Sequence, residues 1–171
     1  MNEKIVVYAY NATGKTETSK KYTNVVDLDS APFLFVYDES VAHLSFEEKK
    51  GLIHLRHSNP QYPQNFIKAI KDEFEKGKIV LVPFNDVNIE ALTKQIRDVQ
   101  HIFVYPAAND FELYAARMKE RGNNDLFIER RKGEFLKFLK LFKDTEVHKK
   151  IIIKPKQFLD EVLIENGIEL L

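Results

Sequence analysis

Lys4 to Thr16 reads KIVVYAYNATGKT, and the rest of the chain is organised around it. Ile5 to Tyr8 is an apolar, β-branched run of the kind that forms a buried parallel strand. A short loop follows, and Gly14-Lys15-Thr16 stands where a short helix begins. That order is the order of a phosphate-binding loop: backbone amides cradle phosphate oxygens, a lysine supplies charge, and a hydroxyl faces Mg²⁺. The pattern G-x-x-x-x-G-K-[ST] has its first glycine where this chain has Ala9, and a variant with a further glycine meets Ala12. Alanine is small enough for backbone to approach a phosphate, but it does not tolerate positive φ as glycine does. The expected cradle is Asn11, Ala12, Thr13, Gly14, Lys15 and Thr16.

Outward from this loop, Val25 to Ser30 reads as a second short strand ending in two acids, Asp27 and Asp29. Two acids one residue apart on a strand share a face, and the C-terminal end of a strand lies on the edge where open α/β sheets bind ligands. The run FLFVY at 33–37 fits either a strand or a packed helix. Ser45 to Glu48 is a capping box, predicting a helix to about His54, and Arg56 to Pro63 is polar with two prolines and reads as a loop. Helices are predicted over 64–76, from Asp86 to about Arg97, from an Asn109/Glu112 capping pair to Arg121, over 125–142 and over 155–166. Strands are predicted at 79–84, 101–105 and 150–153. Strands alternating with helices imply an α/β fold, a mostly parallel sheet of about five strands with helices on both faces.

Composition narrows the classes. The 171 residues allow a single domain, read here as 1–171, with acceptor-side helices about 39–76 and a lid about 109–135. Lys+Arg and Asp+Glu both count 26, so the surplus of positive charge usual in nucleic-acid binders is absent overall. The chain has no cysteine, which excludes disulfides and thiolate metal sites. The apolar run near the N-terminus is too short for a signal peptide and no run is long enough to span a membrane, so the expected location is the cytoplasm. The five histidines show no metal-ligand spacing and are expected to be structural or exposed.

Several side chains could carry chemistry. Lys15 would bridge the β- and γ-phosphates of ATP, and Thr16 would ligate Mg²⁺. Asp27 or Asp29 could take a proton from an attacking hydroxyl, hold Mg²⁺ through water, or bind a sugar or base hydroxyl; either could equally cap the next segment. Arg117 and Arg121 share a helix face just before a Gly-Asn-Asn turn, and Arg130 and Arg131 follow it. Four guanidinium groups around one turn suit a lid that closes over transferring phosphates, or a solvated basic face paired with Glu112, Glu120 and Glu129. Arg56 could bind the acceptor's phosphate or base.

With these residues named, the chain resembles the P-loop nucleoside and nucleoside-monophosphate kinases, in particular the short bacterial and phage-encoded kinase-like proteins. The resemblance rests on KIVVYAYNATGKT, on VVDLDS, on YPQNFIKAI and on YAARMKERGNN after the strand HIFVY. It implies a three-layer P-loop NTPase fold with a helical lid. It implies ATP and Mg²⁺ on Lys15 and Thr16, an acid at Asp27 or Asp29 that contacts the acceptor or acts as base, and phosphate-closing arginines at Arg117 and Arg121. The expected activity is ATP-dependent phosphotransfer to a small acceptor, a nucleoside or nucleoside monophosphate first. Ala9 and Ala12 favour a rival, a nucleotide-binding sensor without turnover. The chain has no D-G-[FY]-P-R segment, and Asp86 follows Asn85 rather than ending a strand.

Overall fold

The computed structural model describes residues 3–171. Five strands form the central sheet: β1 (Ile5–Ala9), β2 (Val25–Asp27), β5 (Ile79–Pro83), β6 (Gln100–Pro106) and β7 (Lys149–Ile153). Their order is β2-β5-β1-β6-β7, and every pairing is parallel. A small antiparallel hairpin, β3 (Phe35–Tyr37) with β4 (Arg56–Ser58), stands apart from it. The helices are α1 (Lys15–Lys21), α2 (Ala31–Leu34), α3 (Phe46–Lys49), α4 (Gln64–Glu75), α5 (Asp86–Gln95), α6 (Phe111–Glu120), α7 (Asp125–Asp144) and α8 (Leu159–Glu165).

All five residues of β1 are buried, whichever way their side chains point. Alternate residues of a strand face opposite sides, so both faces of the sheet are covered, as an apolar, β-branched parallel strand requires. The amphipathic α4 lays Phe66, Ile67, Ile70 and Phe74 into the core. Phe84, Phe103, Tyr105, Phe138 and Phe142 form an aromatic layer between the sheet and α7. Each fully buried side chain of this size contributes about 1.5–3 kcal/mol.

β1 sits at the centre, with β5 on one side and β6 on the other. The chain leaving β1 crosses towards β2, and the chain leaving β6 crosses towards β7, so the connections diverge between β1 and β6. In open α/β sheets that divergence opens a crevice at the strands' carboxyl ends, and KIVVYAYNATGKT delivers its loop there.

The structure revises several local expectations. The second strand ends at Asp27, so Asp29 lies in the following loop and does not share a strand face with it. Its carboxylate instead accepts from the Ala31 amide at 3.1 Å, the capping role that competed with the site role. FLFVY divides between α2 and β3, and residues 56–58 of the polar loop form β4. The Ser45 capping box is present, but α3 ends at Lys49; a 3₁₀ turn at Ile53–Leu55 replaces the rest of that helix. Asn85, not Asp86, caps α5, and no Asn109 cap forms on α6, whose N-cap is Asp110. The last helix begins at Leu159 rather than Pro155.

Candidate functional site

The phosphate-binding motif folds as a tight loop over the end of β1. Ala12 adopts φ 59° and Gly14 φ 107°, so two of its residues lie in left-handed backbone. At φ +107° an L side chain at position 14 would be strained, so the backbone calls for glycine there, while an added Cβ would come only into ordinary contact with the Phe158 ring at 3.4 Å. The buried Thr13 hydroxyl donates to Tyr10 O at 2.8 Å, and Thr13 O accepts from Leu159 N at 2.9 Å. The loop is thereby tied to the start of α8. Among the described residues, the amides of residues 11–16 donate to no protein acceptor. A run of unpaired amides around left-handed residues is a nest suited to anionic oxygens.

Lys15 folds over this nest. Its Nζ donates to Ala9 O at 3.1 Å and Tyr10 O at 3.4 Å. Burial lowers its pKa; the charges of Asp27 and Asp29 oppose that fall, and Arg121 adds to it. Lys15, Asp27, Asp29 and Arg121 are therefore electrostatic neighbours. The Thr16 hydroxyl donates to Asp27 Oδ2 at 2.8 Å. A hydroxyl beside a carboxylate is a hard-oxygen pair of the kind that, with phosphate oxygens, suits Mg²⁺. Among the described residues no group of three or more His, Cys, Asp or Glu gathers as a metal site.

Arg117 is held more firmly than a lid arginine would be. It donates to Ala12 O at 3.5 Å and to Pro155 O at 2.8 Å, and its guanidinium lies 4.6 Å from the Phe158 ring centroid and 5.0 Å from that of Tyr114. It cross-braces the loop after β1 and the β7–α8 connection. Arg121 follows α6 at the turn that leads to α7. Arg131 lies apart, 2.8 Å from Glu134 and over the Phe127 ring. Arg56 stacks on Phe35, 3.9 Å from its centroid, in the hairpin; no described contact joins it to the loop.

Three residues that matter here gave little sequence signal. Asn88, fully buried, accepts from Tyr62 Oη at 3.0 Å and donates to Ser30 Oγ at 3.1 Å and Pro83 O at 2.9 Å. It ties the end of β5 to the segment beginning beside Asp29. A polar residue between Asp86 and Ile89 was the available hint. Phe158 and Tyr10 read as ordinary aromatics, because nothing local says that they pack on or from the loop. The histidines are structural where they are buried: His101 Nδ1 accepts from Tyr8 Oη at 2.8 Å and its Nε2 donates to Ile96 O at 2.9 Å.

No family model matches the chain, and no curated protein matches it. Among solved structures, a gluconokinase from Sinorhizobium meliloti 1021 superposes with TM-score 0.51 at 13% identity, covering 95% of this chain and 88% of that one. A shikimate kinase from Bacteroides thetaiotaomicron gives TM-score 0.40 at 14% identity, covering 88% and 85%. What the chain shares with the gluconokinase is the fold, an α/β architecture around a five-stranded parallel sheet. No helix among the described residues is long and apolar enough to cross a membrane.

Proposed function

We propose that the chain is a P-loop phosphotransferase that moves the γ-phosphate of ATP to a small acceptor, a nucleoside or nucleoside monophosphate first, within a single domain. The observation that carries this reading is the nest of unpaired amides at residues 11–16 beneath Lys15, with the Thr16–Asp27 pair beside it. The amides and Lys15 would hold the β- and γ-phosphates, and Thr16 with Asp27 would hold Mg²⁺. The metal, when bound, supplies charge neutralisation at the transferring phosphate. Asp29, whose charge reaches Lys15, is the group nearest the acceptor segment able to orient or deprotonate a hydroxyl. Arg121 would stabilise charge on the transferring group. Arg117 acts from its brace, fixing the loop and offering a flat cation beside Phe158. Arg56, on the hairpin, would engage the acceptor once residues 31–62 close.

One observation favours a second reading, nucleotide binding without turnover. Ala12 occupies left-handed backbone where glycine would be relaxed, so the loop is held by its neighbours at a cost.

Thermal unfolding with ATP, ADP and Mg²⁺ tests both. Nucleotide at about 100 times its dissociation constant stabilises a fold by about 2.7 kcal/mol. We expect a Mg²⁺-dependent upward shift that Lys15→Ala abolishes. A shift that survives Lys15→Ala would remove the phosphate loop from the assignment. Turnover with a panel of nucleosides and monophosphates then separates the two readings.

A further inference from the structure

The chain's charge balances overall but not locally. Residues 130–156 hold ten Lys or Arg against three Asp or Glu, and residues 157–171 hold four Asp or Glu and no Lys or Arg. The two stretches meet at one edge of the sheet. β7 is the edge strand, with β6 on one side and an open edge on the other. Lys150 Nζ donates to Lys143 O of α7 at 2.6 Å, and Lys149 Nζ donates to Asn166 O at the end of α8 at 2.8 Å. Neighbouring residues of a strand point to opposite faces, so α7 and α8 flank β7 from opposite sides of the sheet.

Much of this charge has no opposite beside it. Among the described residues, Lys143, Lys149, Lys150, Lys154 and Lys156 form no salt bridge, although Lys132, Lys137 and Lys140 do. On α8, Glu161 and Glu165 accept only from uncharged donors, the Phe158 amide and Gln157 Nε2, each at 2.8 Å. Each side also exposes an apolar side chain among its charges. Leu136 of α7 is 66% exposed on the helix face that carries Lys143, and Ile152 of β7 is 44% exposed on the strand face that carries Lys150. Across the sheet, Ile164 is 51% exposed and shares a face of α8 with Glu161 and Glu165. A single exposed apolar residue needs no partner. Here the two apolar sets stand in surrounds of opposite sign.

The two cannot meet within one chain, because the sheet lies between them. They can meet between two copies. A two-fold axis along the open edge of β7 exchanges the faces of the sheet, so α7 of one copy meets α8 of its partner, and the reverse contact forms at the same time. Lysines on an edge strand discourage the addition of another strand, which favours helix packing over sheet extension.

We propose that the β7 edge is the interface of a homodimer. The exposed face of α8 in each copy packs on Leu136 and Ile152 of the other, and its glutamates meet Lys143 and Lys150. The interface shares no residue with the phosphate loop, so it stands independently of the proposed phosphotransfer.

Sedimentation velocity tests it. We expect the native chain to be a dimer at about 100 µM protein in about 50 mM salt, and the dimer to weaken as added salt screens the charge pairs. Leu136→Asp and Ile164→Asp, at exposed positions whose substitution spares the monomer's fold, should each weaken it at least about tenfold. Charge reversal gives the sharper readout. Lys143→Glu/Lys150→Glu and Glu161→Gln/Glu165→Lys should each be monomeric alone. An equimolar mixture of the two should dimerise, because both contacts of the mixed pair then join opposite charges. A monomeric native chain under these conditions overturns the proposal, as does a dimer that neither apolar substitution weakens. If the monomer instead binds a single-stranded oligonucleotide through the same lysines, the edge is a polyanion surface and the homodimer is wrong.

Discussion

The strand-to-loop stretch that opens the chain and the segment at residues 31–60 are built on opposite principles. Residues 5–10 are buried without exception, and β1 is paired along both of its edges. Residues 31–60 bury only Val41, and their helices and strands are three or four residues long. Apart from Phe33, which packs on Phe66, hydrogen bonds do most of the holding: Asn59 N to Leu34 O at 2.8 Å, Asn65 Nδ2 to Phe33 O at 2.9 Å, and the Tyr62–Asn88–Ser30 chain. Apolar burial fixes one packing cooperatively, whereas a few polar links leave a region at the low-stability end of the molecule, from which moving elements are drawn. The structure thus sets a rigid loop at the end of β1 beside a compliant segment at residues 31–60.

The strongest way to break this contrast is to truncate one apolar side chain in each region. Ile102, fully buried beside β1, should lose about 2–5 kcal/mol as Ile102→Ala, read from urea unfolding. Val36, 42% exposed in β3, should lose less than about 0.5 kcal/mol as Val36→Ala. Equal losses would show that residues 31–60 share the core's cooperativity.

Next in size is the link between the two regions. Asn88→Ala leaves Pro83 O and Ser30 Oγ without their shared donor in a buried site. We expect a loss of about 2 kcal/mol, with hydrogen exchange accelerated across residues 31–62 and unchanged in β1. Uniform acceleration would mean that Asn88 supports the whole fold rather than the docking of that segment.

This difference also explains what could be read in the sequence. Apolar runs such as IVVYA, IVLVP and HIFVY give strands directly, since burial on both faces demands that composition, and Gly14-Lys15-Thr16 marks its own loop. Residues 31–60 carry only the short apolar run FLFVY, which fits a strand or a helix, because segments held largely by hydrogen bonds need little apolar period. The hairpin is therefore not legible in the sequence, and Asp29, read there as strand, lies two residues beyond the end of β2. The seats of Arg117 on Phe158 and of Asn88 under Tyr62 depend on residues 41 and 26 positions away, which local pattern cannot register.

A smaller effect probes the rigid half through pH. His101 is buried, and desolvation lowers its pKa below the usual histidine value. The unfolded chain therefore takes up a proton near pH 6.5, before the folded one does. Stability should be fully present above that pH and fall as pH drops through it towards the folded pKa, by at most about 1.4 kcal/mol per unit. His101→Gln should flatten that part of the profile, and an unchanged slope would assign it to other groups.

The last comparison lies within the loop itself. Ala12 and Gly14 both have positive φ, and Ala12 keeps its Cβ buried against the hydrophobic core. An alanine in left-handed backbone costs about 1 kcal/mol, and glycine at the same site relieves it while adding freedom to the unfolded chain. Ala12→Gly should therefore raise stability by about 0.5 kcal/mol, a midpoint shift of 1–2 °C at most. Its effect on nucleotide binding is the sharper measurement. If the packed neighbours, Arg117 on Ala12 O and Leu159 on Thr13 O, already fix the loop in its phosphate-ready form, the variant should bind ATP no more tightly than the native chain. Tighter binding by Ala12→Gly would mean that the alanine restrains the cradle, and would move the chain towards the sensor reading.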